Sequence, residues 1–133
     1  MGLRQFYTRH LLTSKNVKPD SLKFFRITQG AYLLGLLLHL SLILMYKDMG
    51  IQEMVFFNVL ISVPSFIIAI SLNKLGKHNI GFLIVFMELL SHQIATTYYI
   101  GWGSGANYWL IYLAGLSFFN SNWKLRVHLS LLS

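Results

Sequence analysis

The chain has 133 residues, 55% of them hydrophobic and only 11% charged, against about 25% charged in soluble domains. With a mean hydropathy of +0.56, this composition points to an integral membrane protein. The absence of cysteine excludes disulfides and thiolate metal sites. The net charge of +7 sits in a few short segments and not across a folded surface, which argues against nucleic acid as a partner.

Residues 1–26 form a basic N-terminal segment carrying Arg4, Arg9, Lys15, Lys18, Lys23 and Arg26. It is too long and too polar for a signal-peptide n-region, so the first apolar run reads as a retained helix. Leu3, Phe6, Tyr7 and Leu11, interleaved with basic groups, suit either a short interfacial helix or a frayed tail. Lys18-Pro19-Asp20-Ser21 is a break, with Asp20 or Ser21 as N-cap of a helix entering the first span.

Four spans follow within 27–133, at about 27–46, 54–72, 80–99 and 106–119. The first matches the roughly 20 residues needed to cross a bilayer. Gly30, Gly35 and Ser41 are its small positions, suited to close helix approach. Pro64 interrupts the second span and predicts a kink, because it removes the hydrogen bond to Leu60. Residues 73–79 read as a basic loop. The third span ends in Tyr98, Tyr99 and Trp102, an aromatic belt. Gly101-Trp102-Gly103-Ser104-Gly105 reads as a tight loop before the short fourth span. Residues 125–133 resemble the start of a fifth apolar run, so the chain is expected to be a fragment of a longer protein. The expected fold class is therefore all-α, an integral membrane bundle of four helices plus a truncated fifth.

The positive-inside rule gives one orientation. The N-terminal segment, the Lys74–Lys77 loop and the Lys124–Arg126 segment are cytoplasmic. The loop with Lys47, Asp48 and Glu53 and the uncharged loop around Trp102 are outside. A multi-pass protein of the inner membrane, in contact with the lipid bilayer, is expected.

Chemistry concentrates in Glu88-Leu-Leu-Ser-His92. Four residues apart, Glu88 and His92 share a helix face. A carboxylate in hydrocarbon must pair, protonate or face a protein interior. The pair is open to three readings: a polar contact that fixes packing, a ligand-sensing or switching site, or two ligands of a metal. A metal needs a third ligand, and His39 is the remaining candidate in a span. His39 and His92 also fall at matching depth in parallel spans, as a bis-histidine haem would require. No cofactor is otherwise indicated. Ser104 lies in Gly-Ser-Gly but lacks the outer glycines of a nucleophile elbow, and no P-loop or paired-carboxylate site is present. Polarity continues from Glu88 through Gln93, Thr96 and Thr97 toward the outer end. The expected functional surface is accordingly Glu88, His92, Tyr99, Trp102, Ser104, Asn107 and Tyr108.

Glu-x-x-x-His in the third span, then Tyr-Tyr-Ile-Gly-Trp-Gly-Ser-Gly, then an aromatic-rich fourth span, resembles the N-terminal six-helix membrane domain of bacterial signalling cyclases. Such domains precede adenylate/guanylate cyclase or GGDEF diguanylate cyclase domains. Gly101, Trp102, Ser104 and Gly105 match the family loop. Gly103 stands where the family has an acidic residue and Ala106 where it has an aromatic one, while Tyr108 and Trp109 stand near its tyrosine pair. The resemblance implies a homodimeric membrane anchor and sensory domain, with a small ligand at the outer face and no catalytic residue in this stretch. The alternatives are a small four-helix proton-coupled transporter and a structural membrane subunit.

Overall fold

The computed structural model describes residues 16–105 together with 108, 109 and 111. The expected fourth span, the fifth apolar run and the N-terminal amphipathic stretch lie outside these residues, apart from those three positions. The described residues are helical, with no strand.

A 3-10 turn at Pro19–Ser21 leads into α1, Leu22–Asp48. Proline is tolerated at this first turn because its missing N–H would have no partner there. Ser21 occupies the N-cap position as expected, but its side chain makes no cap hydrogen bond. After a tight turn come α2 (Gln52–Phe57), a π-helical turn (Asn58–Ser62) and α3 (Val63–Lys74), which form one continuous rod. A second turn leads to α4, His78–Ile100. The three rods are long and apolar enough to cross a membrane by length and composition.

Sequence anticipates a kink at Pro64, and the structure resolves the interruption as the π turn. The Val63 N–H donates to the Asn58 carbonyl, five residues back. That wider turn lets Pro64 enter at the start of α3, where its missing N–H is least costly.

The α2–α3 rod is the middle element. α3 packs along both α1 and α4, which touch each other far less. Tyr32, Phe66, Ala69 and Val85 form the apolar centre, flanked by Leu36, Ile70 and Leu89. Gly35 permits the α1–α3 approach, because a Cβ there would collide with the Phe66 ring. Gly30 meets no neighbour and Ser41 is exposed, so only one of the three small positions of the first span serves packing.

Burial is inverted relative to a water-soluble bundle. Large apolar side chains such as Leu34, Leu44, Phe56, Leu60 and Ile94 face outward, and among the described residues more of the buried positions are polar than hydrophobic. Two polar groups result. One ties the start of α1 to the α3–α4 turn. Asn73 Nδ2 donates to Gln29 Oε1 at 2.8 Å and to the Phe25 carbonyl at 3.2 Å. Asn73 Oδ1 accepts from His78 Nδ1 at 2.6 Å, and the rings of Phe24 and Phe25 pack on His78. Asn73, expected in a loop, thus closes the last turn of α3 and is fully buried. The second group lies midway along the bundle.

Candidate functional site

The second group is built by one face from each rod. α1 supplies His39 and Tyr46, seven residues apart and so nearly eclipsed on the helix surface. The π turn supplies Asn58 and Ser62, both fully buried. α4 supplies Glu88, His92, Gln93 and Thr96. Glu88 and His92 are each only 3% exposed, so both face the bundle interior.

His39 spans the gap between helices. Its Nδ1 lies 2.7 Å from the Gly35 carbonyl. A carbonyl only accepts, so Nδ1 carries a proton. That leaves Nε2 facing Glu88 Oε1 at 3.5 Å. The two groups are close enough for an ion pair, yet the contact lacks hydrogen-bond geometry. Two electrically neutral arrangements are open: imidazole beside carboxylic acid, or imidazolium beside carboxylate. They differ by the position of one proton. An unpaired carboxylate here would carry the full cost of a buried charge. Ser62 Oγ also sits beside the Glu88 carboxyl without closing a hydrogen bond of good geometry.

His92 is held from both sides. Asn58 Nδ2 donates to the Met54 carbonyl at 2.7 Å, which fixes the orientation of the amide. The same NH2 group lies 3.4 Å from His92 Nε2, so Nε2 accepts. Nδ1 then carries the proton and points to Thr96 Oγ1 at 3.4 Å, which in turn lies 3.3 Å from the Tyr46 hydroxyl. A polar chain therefore runs Asn58, His92, Thr96, Tyr46 across three helical segments. The rings of His39, Tyr46 and Phe57 surround His92, and that of His39 meets it edge to face with centroids 4.9 Å apart.

This contact does not fit the bis-histidine haem reading. The histidines do stand at matching depth, but they touch, leaving no space for a porphyrin between them. Among the described residues, no group of three or more His, Asp or Glu side chains has metal-ligand spacing, although His39, Glu88 and His92 are neighbours.

The sequence-predicted surface divides in two. Glu88 and His92 join the midspan cluster. Tyr99, Trp102, Ser104 and Tyr108 stand exposed at the far end of α4 and beyond it, with Trp102 74% exposed. Twelve residues of helix separate Glu88 from Ile100 at the end of α4, a rise of about 18 Å, and Trp102 lies beyond that end. The loop is a 3-10 turn at Trp102–Ser104, entered and left by Gly101 and Gly105 at positive φ. Asn107 lies outside the described residues. Gln93 and Thr96, read as a polar track, are buried and belong to the cluster.

Sequence reasoning missed Asn58, Ser62 and Tyr46. Asn58 had a signal, since an amide in an apolar run six residues before a proline marks a turn that needs side-chain partners. No family model, curated protein or solved structure matches the chain.

Proposed function

We propose that this chain is the membrane anchor and sensory domain of a signalling nucleotide cyclase, working as a homodimer in the cytoplasmic membrane. The N-terminus and the Lys74–Lys77 loop would lie in the cytoplasm. The observation that carries the reading is the His39–Glu88 pair, buried midway along an apolar bundle and donated by different helices. A carboxyl group is more than a structural subunit requires, because ionisable side chains in hydrocarbon are costly and mark functional sites. Two neutral states separated by one proton give the bundle a bistable element that a signal can bias. The loop Gly101-Trp102-Gly103-Ser104-Gly105 supports the same reading through its likeness to cyclase membrane domains. The proton-sharing pair also favours one second reading, a small proton-coupled transporter.

Reading the coding sequence past Ser133 tests the first proposal. Two further spans and a cyclase domain in frame are expected. A stop codon there would sink it, and proton-driven flux in proteoliposomes would then test the second. In the full-length protein, His92→Ala is expected to change cyclase output severalfold while leaving membrane insertion intact. Output unchanged under every stimulus would make the cluster packing alone. Reporter fusions after Gly50 and Ser104 are expected outside and one after Lys77 inside. An internal Ser104 fusion would overturn the orientation.

A further inference from the structure

α1 and α4 touch little, and a groove of about 770 Å³ runs between them along the bundle. Among the described residues no Asp, Glu, Lys or Arg lines it. Leu34, Leu38 and Met45 on its rim are exposed. In hydrocarbon a concave apolar strip is held by whatever packs best against it, and a helix with fixed side chains does this better than mobile acyl chains. The groove alone does not name its occupant, but the path of the chain does.

α4 ends at Ile100, and Gly101 and Gly105, both at positive φ, bracket the 3-10 turn at Trp102–Ser104. The Tyr108 N–H donates to the Gly105 carbonyl at 3.1 Å, and Trp109 and Ile111 are helical. Ser104 and Trp109 both line the groove, together with Ile100. The chain therefore leaves α4, turns back and starts a new helix at the mouth of the groove. The residues after it are uncharged as far as Trp123, and Lys124 and Arg126 are the first cations. A helix from Trp109 to Lys124 rises about 22 Å, and α4 from Ile100 back to Phe82 rises about 27 Å. An uncharged groove and an uncharged segment thus match in length, and Lys124 arrives near the end that holds Lys74 and Lys77. Tethered at the mouth, the segment has an effective concentration there on the order of mM, an advantage no separate molecule shares.

We infer that residues 109–123 of this same chain fill the groove as a helix antiparallel to α1 and α4, with Trp109, Leu113, Leu116 and Asn120 facing it. Helical spacing puts these four positions on one face and Phe118 on the opposite one. Docked there, the helix covers His92 and Thr96 from the groove side. It would carry a change at the His39–Glu88 pair to the chain beyond Lys124; that link rests on the sensory reading above, while the docking does not.

The chain holds no cysteine, so an introduced pair is the only pair present. With the whole chain in lipid nanodiscs, Leu38→Cys is combined with single cysteines at 112–122 and the pairs are oxidised. Crosslinks within one chain are expected to peak at Leu116 and Asn120 and to fall away at Phe118. With Met45→Cys the peak should move back to Leu113, as an antiparallel path requires. Leu60→Cys, exposed on the π turn and outside the groove lining, should give none. Should paired variants fail to fold, single spin labels keep the test decisive: one at Leu38 is expected to meet dissolved oxygen severalfold less often than one at Leu60. Crosslinks without helical period, crosslinks only between chains, none at any pair, or equal oxygen collisions at the two labels would each overturn the inference. A crosslink that forms within one chain yet leaves cyclase output of the full-length protein unchanged would refute the link to signalling and leave the docking standing.

Discussion

Asn73 and Glu88 are polar residues buried almost equally, and the bundle holds them in opposite ways. Asn73 uses both amide hydrogens and its oxygen, on Gln29, the Phe25 carbonyl and His78. Both carboxyl oxygens of Glu88 lack a hydrogen bond of good geometry, as do His39 Nε2, Asn58 Oδ1 and Ser62 Oγ around it. Gln29 Nε2 is left without a hydrogen bond, but a network this nearly satisfied rigidifies, because most rearrangements break bonds. A cluster with unspent donors and acceptors can exchange partners or shift a proton at little cost. The first arrangement suits a clamp that fixes the start of α1 against the α3–α4 turn. The second suits a centre that responds.

Substitutions in the two regions should differ in cost, and the largest stability effect is expected at the clamp. Asn73→Ala should destabilise the bundle by about 2–3 kcal/mol, because it orphans Gln29 Oε1 and the His78 N–H together. Unfolding in mixed micelles reads this directly, and a loss below about 0.5 kcal/mol would mean that the network is ornamental. At the midspan centre the cost should be smaller. Glu88→Leu, which leaves His39 Nε2 facing a hydrocarbon, is expected to cost about 1–2 kcal/mol. Glu88→Gln keeps shape and polarity and should stay within about 1 kcal/mol. If Glu88→Gln proved as damaging as Asn73→Ala, the contrast between the two regions would collapse. The smallest stability change is expected for Pro64→Ala, within about 0.5 kcal/mol. Restoring an N–H there lets α-helical bonding compete with the π turn. Asn58 would then swing away from His92, and the 15N shift of His92 Nε2 should move. An unchanged shift would show that burial of Asn58 and Ser62 holds the turn without Pro64.

The three rods were legible in the sequence because apolar runs of about 20 residues broken by Gly, Lys and Asn leave few alternatives. Helical spacing also put Glu88 and His92 on one face, and counting residues from the span ends set His39 level with His92. Beyond that, spacing fails, because the partners of Glu88 come from other helices and no local pattern encodes them. Asn58 and Ser62 converge on the cluster only through the π turn, which sequence registers merely as a proline in an apolar run. Asn73 read as loop because Lys74 and Gly76 follow it, and its burial depends on Gln29, 44 residues away. The glycine-rich loop and Glu88 were grouped into one surface on likeness and polarity, whereas the rise of α4 holds them apart.

Infrared spectroscopy of the carboxyl region reads the pairing of His39 with Glu88 across α1 and α4. The chain has only four acidic residues, and Glu88 alone among the described ones is buried. The difference spectrum between the native chain and Glu88→Gln therefore isolates its band. That band is expected to shift in His39→Gln and to stay fixed in His78→Gln. A Glu88 band identical in the native chain and in His39→Gln would contradict the pairing, and with it the proton-sharing centre.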